Sequence, residues 1–166
     1  MMKKLLLALL CVCCGLLQAQ EAAPAVSATV PEALASPSLS YLTDTRPEAD
    51  ARFYIYLCSA SWCTPCRAIM PKVVAEYPAI KAAGGEIILL CYDATPAAGV
   101  AYLKKYNAAF PAVLTNFEQA AALGLPGFST PRGIPHAIFV SKDGTLLHKG
   151  HGATLLGWKQ VISSLP

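Results

Sequence analysis

The chain has 166 residues, of which 55% are hydrophobic and only 14% charged, with a formal net charge of +3. That length holds one ordinary domain with a buried core and excludes two. No lysine or arginine block interrupts the sequence, which argues against nucleic-acid or anionic-membrane binding through a charge patch.

The first residues read as an export signal. Met1-Met2-Lys3-Lys4 is a basic start, Leu5 to Leu17 is apolar, and Gln18-Ala19-Gln20 ends the run. The run is short for a permanent membrane span and fits a cleaved signal peptide over residues 1–19. An uncleaved anchor is the alternative. Cys11, Cys13 and Cys14 offer a lipidation site, but Leu10, Val12 and Cys13 stand where a small residue is wanted. Loss of Lys3 and Lys4 would take the charge from +3 to +1. Export places the mature chain in the periplasm or outside the cell, with no stable membrane insertion. Residues 20–38, rich in Ala, Pro, Ser and Glu, read as a flexible lead. The folded domain is expected over residues 39–166.

Arg52 to Ser59 is nearly unbroken aromatic and aliphatic sequence, as in a strand covered on both faces. After a short connection, Ile69, Val73, Tyr77 and Ile80 make one stripe of a helix that Gly84-Gly85 ends. Glu86 to Tyr92 predicts a second buried strand. Thr95-Pro96 supplies a cap and first residue for a helix to about Tyr106. Strand, helix, strand, helix implies parallel pairing. Phe117 to Leu123 predicts a short helix, and Gly124 to Gly133 a loop. His136 to Val140 and Thr145 to Lys149 predict a hairpin about the turn Lys142-Asp143-Gly144. Leu155, Trp158, Ile162 and Leu165 mark a terminal helix. The expected fold class is α/β, a central mixed sheet with helices on both faces.

Cys63-Thr64-Pro65-Cys66 lies where the first strand gives way to its helix. A CxxC pair by itself serves zinc sites as well as redox sites. At a helix start, N–H groups and the helix dipole stabilise a thiolate on Cys63, whose sulfur is expected to be exposed. Cys66 lies one turn inward and reaches the same sulfur. Pro65 costs no hydrogen bond in a first turn. Arg67 adds positive charge nearby.

Trp62-Cys63-Thr64-Pro65-Cys66-Arg67 resembles the active-site motif of the thioredoxin superfamily. The longer run Ser59 to Ala68 is similar to its nucleoredoxin, tryparedoxin and TlpA-like branch. Pro71 matches the proline within the family's active-site helix, and Gly133-Ile134-Pro135 resembles its cis-proline loop. The resemblance covers Phe53 to Leu165. It implies a thioredoxin-like fold and thiol–disulfide exchange through Cys63 and Cys66. It also implies a cis Pro135, with the Ile134 backbone pairing with a substrate segment. Trp62, Thr64 and Pro65 would contribute to the docking surface. Two positions depart from the family: Leu57 and Ile69 stand where related proteins carry carboxylates, leaving Glu86, Asp93 or water to take the Cys66 proton.

The expected function is therefore an exported oxidoreductase, more a reductase than an oxidant. It needs no cofactor beyond its own cysteines. Its expected partners are substrate proteins with disulfides or thiols and an upstream redox protein, and it is expected to be a monomer. The alternatives are a copper- or zinc-handling module using CxxC with His136, and a binding domain with little turnover. Cys58 and Cys91 are either buried free thiols or a second, structural disulfide. His148 and His151 are expected at the surface.

Overall fold

The computed structural model describes residues 28–163 and Leu165. The signal segment and its three cysteines lie outside the described residues. The chain runs α1 (Val30–Leu34), β1 (Phe53–Ser59), α2 (Thr64–Ala82), β2 (Gly85–Cys91), α3 (Pro96–Tyr106), β3 (Ala112–Leu114), β4 (His136–Ser141), β5 (Leu146–His151) and α4 (Trp158–Ile162). Two 3₁₀ turns, Ala120–Leu123 and Gly152–Gly157, complete it.

The five strands form one mixed sheet in the order β3-β2-β1-β4-β5. β1 pairs parallel with β2, and β2 with β3; β4 runs antiparallel to β1, and β5 to β4. Every residue of β1 and β2 is buried, which is why their sequences show no polar alternation. Side chains still alternate across the sheet. Phe53, Ile55 and Leu57 face a core made with Met70, Val73 and Ile80 of α2, Leu103 of α3 and Trp158 of α4. Tyr54, Tyr56 and Cys58 face the other way, toward α1 and the first 3₁₀ turn. The fold is thioredoxin-like, with helices on both faces of the sheet.

The structure differs from the sequence expectation in three places. The Ala/Pro-rich stretch 20–38, expected as a flexible lead, is described from Ala28, and there it contains α1. Glu32 accepts from the Thr29 N–H (2.7 Å), and the Val30 N–H bonds to the Lys142 carbonyl at the β4–β5 turn (3.0 Å). Val30 and Leu34 are buried against Tyr54 and Val140, each contributing roughly 1.5–3 kcal/mol of apolar burial. Next, β3 was not expected. Three residues after Pro111 are too few to show a period, and the strand exists because β2 on one side and Tyr41 on the other supply partners. Finally, the terminal helix begins as a 3₁₀ turn over Gly152–Gly157, and only Trp158–Ile162 is α-helical.

Candidate active site

β1 ends at Ser59, and the chain turns through Ala60, Ser61 and Trp62 into α2. Cys63 is the N-cap of α2, and it is joined to Cys66 by a disulfide with Cα atoms 5.2 Å apart. The Cys66 N–H points at Cys63 Sγ from 3.3 Å, so an unpaired helix donor serves the outer sulfur. Pro65 occupies the first turn, where no N–H is needed. Pro71 and Pro78 both lie within α2.

The Ile134–Pro135 peptide bond is cis, and this loop lies over the disulfide. The Ile134 carbonyl oxygen is 3.6 Å from Cys63 Sγ. Cys63 is consequently only 6% exposed, not open as its place at a helix start suggested, and Cys66 is fully buried. Of the two cysteines, only Cys63 retains any exposure. Thr64 and Pro65 are exposed beside it, and Pro135 is buried. Trp62 stands out at 58% exposure, with its Nε1–H bonded to the Tyr92 carbonyl (3.1 Å). Tyr92 in turn meets Phe117 edge to face, ring centroids 4.5 Å apart. Arg67 is half-buried. Its guanidinium donates to the Ser61 carbonyl (2.8 Å) and Thr64 Oγ1 (3.0 Å), bracing the turn.

Asp93 is the residue that sequence reasoning undervalued. Its carboxylate is 4% exposed and accepts from the Ser61 N–H through both oxygens (3.1 Å each). It also accepts from Ser61 Oγ (2.5 Å) and from the Cys91 thiol (3.1 Å). The turn that carries Trp62 and Cys63 is thus pinned to the end of β2. One signal was available: Asp93 falls just past the C-terminal end of β2, as the CxxC pair falls just past that of the neighbouring β1.

Glu86 is not at the site. It pairs in register with Tyr54, five residues before the end of β1 and so about 16 Å away along the strand. There it is 1% exposed and accepts from Tyr77 (2.8 Å), Lys81 (3.0 Å) and the Glu48 N–H (3.2 Å). Leu57 is fully buried on the α2 side of the sheet. Ile69 packs at Gly152, where an added Cβ would lie 2.7 Å from Ile69 Cδ1 and 2.6 Å from Pro135 Cβ. Apolar packing fills both positions.

Cys58 and Cys91 are free and buried. Cys58 lies opposite Leu90 and Ser59 opposite Cys91, so the two thiols are one residue out of register and point to opposite faces. A disulfide between them is sterically impossible without moving a strand. Burial, first of all, pushes each thiol up to about 12. When the folded chain is treated with iodoacetamide near pH 8, Cys58 and Cys91 should stay unmodified in peptide maps and react only in denaturant. Modification of the native chain at either position would contradict this burial.

His136 is half-buried at the start of β4, and burial, Lys149 and His151 hold its imidazole below the ordinary value. Among the described residues no group of three or more His, Cys, Asp and Glu side chains is arranged to hold a metal.

A CxxC disulfide at the N-terminus of a sheet-flanking helix, facing a cis-proline loop, defines a thioredoxin-superfamily thiol–disulfide oxidoreductase fold. The chain belongs to the AhpC/TSA family, whose model matches residues 22–149. It is similar to a thiol-disulfide oxidoreductase ResA from Bacillus cereus, 30% identical over 89 residues, which are 54% of this chain and 49% of that protein. The chain thus spans about half the length of the curated relatives it matches. Among solved structures it resembles a thioredoxin from Wuchereria bancrofti, with TM-score 0.60, 24% identity, and 79% of this chain and 94% of that one covered. A DsbF homologue from Corynebacterium diphtheriae matches with TM-score 0.58 and 19% identity over 69% of this chain and 72% of that one.

Proposed function

We propose that this chain is an exported protein-disulfide reductase that exchanges its Cys63–Cys66 dithiol with disulfides of substrate proteins. The observation that carries the reading is the disulfide itself, placed with its outer sulfur under the cis-proline loop and its inner sulfur sealed from solvent. In the reducing direction, Cys63 thiolate attacks a substrate sulfur, the substrate S–S bond breaks, and a mixed disulfide forms. Cys66 then loses its proton and attacks Cys63 Sγ. This releases the second substrate thiolate and leaves the Cys63–Cys66 bond. Two electrons pass to the substrate; Cys66 supplies one proton to its thiols and the solvent the other. With Leu57 and Ile69 apolar, the departing substrate thiolate, or water, takes the Cys66 proton.

The surroundings favour a reductase. Strong oxidants of this chemistry owe their potential to a stabilised reduced form. Here the group seen to serve the Cys63 sulfur is the single Cys66 N–H at the helix N-terminus, and the Arg67 guanidinium is bonded to the Ser61 carbonyl and Thr64 Oγ1. Exposed Trp62, with Thr64, Pro65, Ile134 and Pro135, would form the docking surface for a substrate segment. The run Ser59 to Ala68 supports assignment to the nucleoredoxin, tryparedoxin and TlpA-like branch. The apolar leader over residues 1–19 supports export, to the periplasm or beyond. The chain would act as a monomer, reset by an upstream redox protein, without a bound cofactor.

Equilibration of the full chain with dithiothreitol or glutathione tests the direction. A reduction potential near that of thioredoxin, roughly −270 mV, is expected; one near roughly −120 mV would make the protein an oxidant. Failure to form a reversible Cys63–Cys66 disulfide would remove the enzyme reading altogether.

A further inference from the structure

A cationic hollow of about 330 Å³ opens beside the cis-proline loop, lined among others by Arg132, Gly133, His136, Lys149 and Ser129. It is one residue along the chain from Ile134, whose carbonyl touches Cys63 Sγ. The sheet register builds it. His136 pairs with His151 and Ile138 with Lys149, so His136, Lys149 and His151 share one face of the β4–β5 hairpin. The Gly152 N–H bonds to the Pro135 carbonyl (2.8 Å), which fixes the end of β5 against the loop.

The charges in the hollow are unbalanced. Among the described residues, neither Arg132 nor Lys149 forms an ion pair with a carboxylate. The Lys149 ammonium donates to the neutral Ser129 hydroxyl (3.2 Å), and both cations are exposed. The groups acting on the His136 imidazole are likewise Lys149 and His151, both cationic or able to become so, and no acid. Arrays of like charge beside a reaction centre favour ligands of opposite charge, chiefly through the rate of encounter.

We propose that this hollow is a specificity subsite for an acidic side chain of the substrate polypeptide, close in sequence to the cysteine that reacts with Cys63. The inference rests on the proposed exchange reaction and names its preferred substrate class. In an extended substrate segment, residues two places from the cysteine project on the same side as it does. Those are the positions from which a carboxylate would meet Arg132 and Lys149.

The test uses the reduced full chain and disulfide-linked dimers of short acetylated, amidated peptides with one cysteine each. The residue two places before or after the cysteine is Glu, Gln or Lys. At low salt one of the Glu peptides should be reduced about fivefold faster than its Gln counterpart, and the Lys peptide slower than either. The preference should shrink in about 0.5 M salt, as expected for exposed charges. In the double variant Arg132→Gln, Lys149→Gln, the Glu-to-Gln ratio should fall to about one while the Gln-peptide rate is unchanged. That unchanged rate shows the variant is folded and active. A ratio of one in the wild-type chain, or a preference that survives the double substitution, overturns the subsite. Failure of every peptide to be reduced, Gln included, would instead overturn the exchange reading, and the subsite with it.

Discussion

If the proposed exchange holds, substitution of Cys66 by serine should turn a catalyst into a trap. Cys63 is the less buried of the pair, and the Cys66 N–H that points at its sulfur belongs to the backbone, so it survives the change. Attack on a substrate disulfide therefore still occurs. The second displacement cannot, because a hydroxyl does not form the S–S bond that releases substrate. Turnover should drop to background, and a mixed disulfide should accumulate toward one per chain on non-reducing gels, dissolving with dithiothreitol. Cys63→Ser should abolish turnover as well, but without an adduct. That pair of outcomes separates the active site from Cys58 and Cys91, which are present in both variants. An adduct that persists in Cys63→Ser would move the nucleophile elsewhere.

Replacement of Asp93 by asparagine should be the most damaging isosteric change near the site. The carboxylate takes two contacts from the Ser61 N–H, one from Ser61 Oγ and one from the Cys91 thiol, all with almost no solvent present. An amide keeps one oxygen and turns an NH₂ group toward donors. Loss of a charge-assisted bond together with an unsatisfied buried donor costs about 2–4 kcal/mol. For a domain of this size the melting temperature should fall by about 10 °C. Trp62 fluorescence should also change well below the global transition, because the turn that carries it loses its tie to β2. A melting temperature within about 2 °C of wild type would show that the Arg67 and Trp62 bonds hold the turn without Asp93.

Much of this molecule was legible in its sequence. β1 and β2 announce themselves as unbroken apolar runs, because a central strand covered on both faces needs no polar positions. Thr95-Pro96 marks the start of α3 by its own capping chemistry: Thr95 Oγ1 accepts from the Ala98 N–H at 3.2 Å. The CxxC pair shows its proximity in its spacing and its place between β1 and α2, since three residues of helix are enough to bring two sulfurs together. These are local facts, decided by residues near one another in the chain.

Tertiary structure decided the rest, and each case involves distant partners. β3 exists only because β2 and Tyr41 flank it. α1 is held by Lys142, more than a hundred residues away, and by the sheet face it covers. Whether Cys58 and Cys91 could join depended on a one-residue register between β1 and β2, which no composition records. Glu86 and Asp93 stood seven residues apart as equal candidates near the site. The strand between them carries Glu86 to the far end of the sheet and leaves Asp93 beside the disulfide turn. The low exposure of Cys63 came from a loop seventy residues later that folds back over it. Sequence by itself determined the central strands, the helix start and the cysteine pair that sits between them. The packing of remote segments determined how far that pair is open, what anchors it, and which charges surround it.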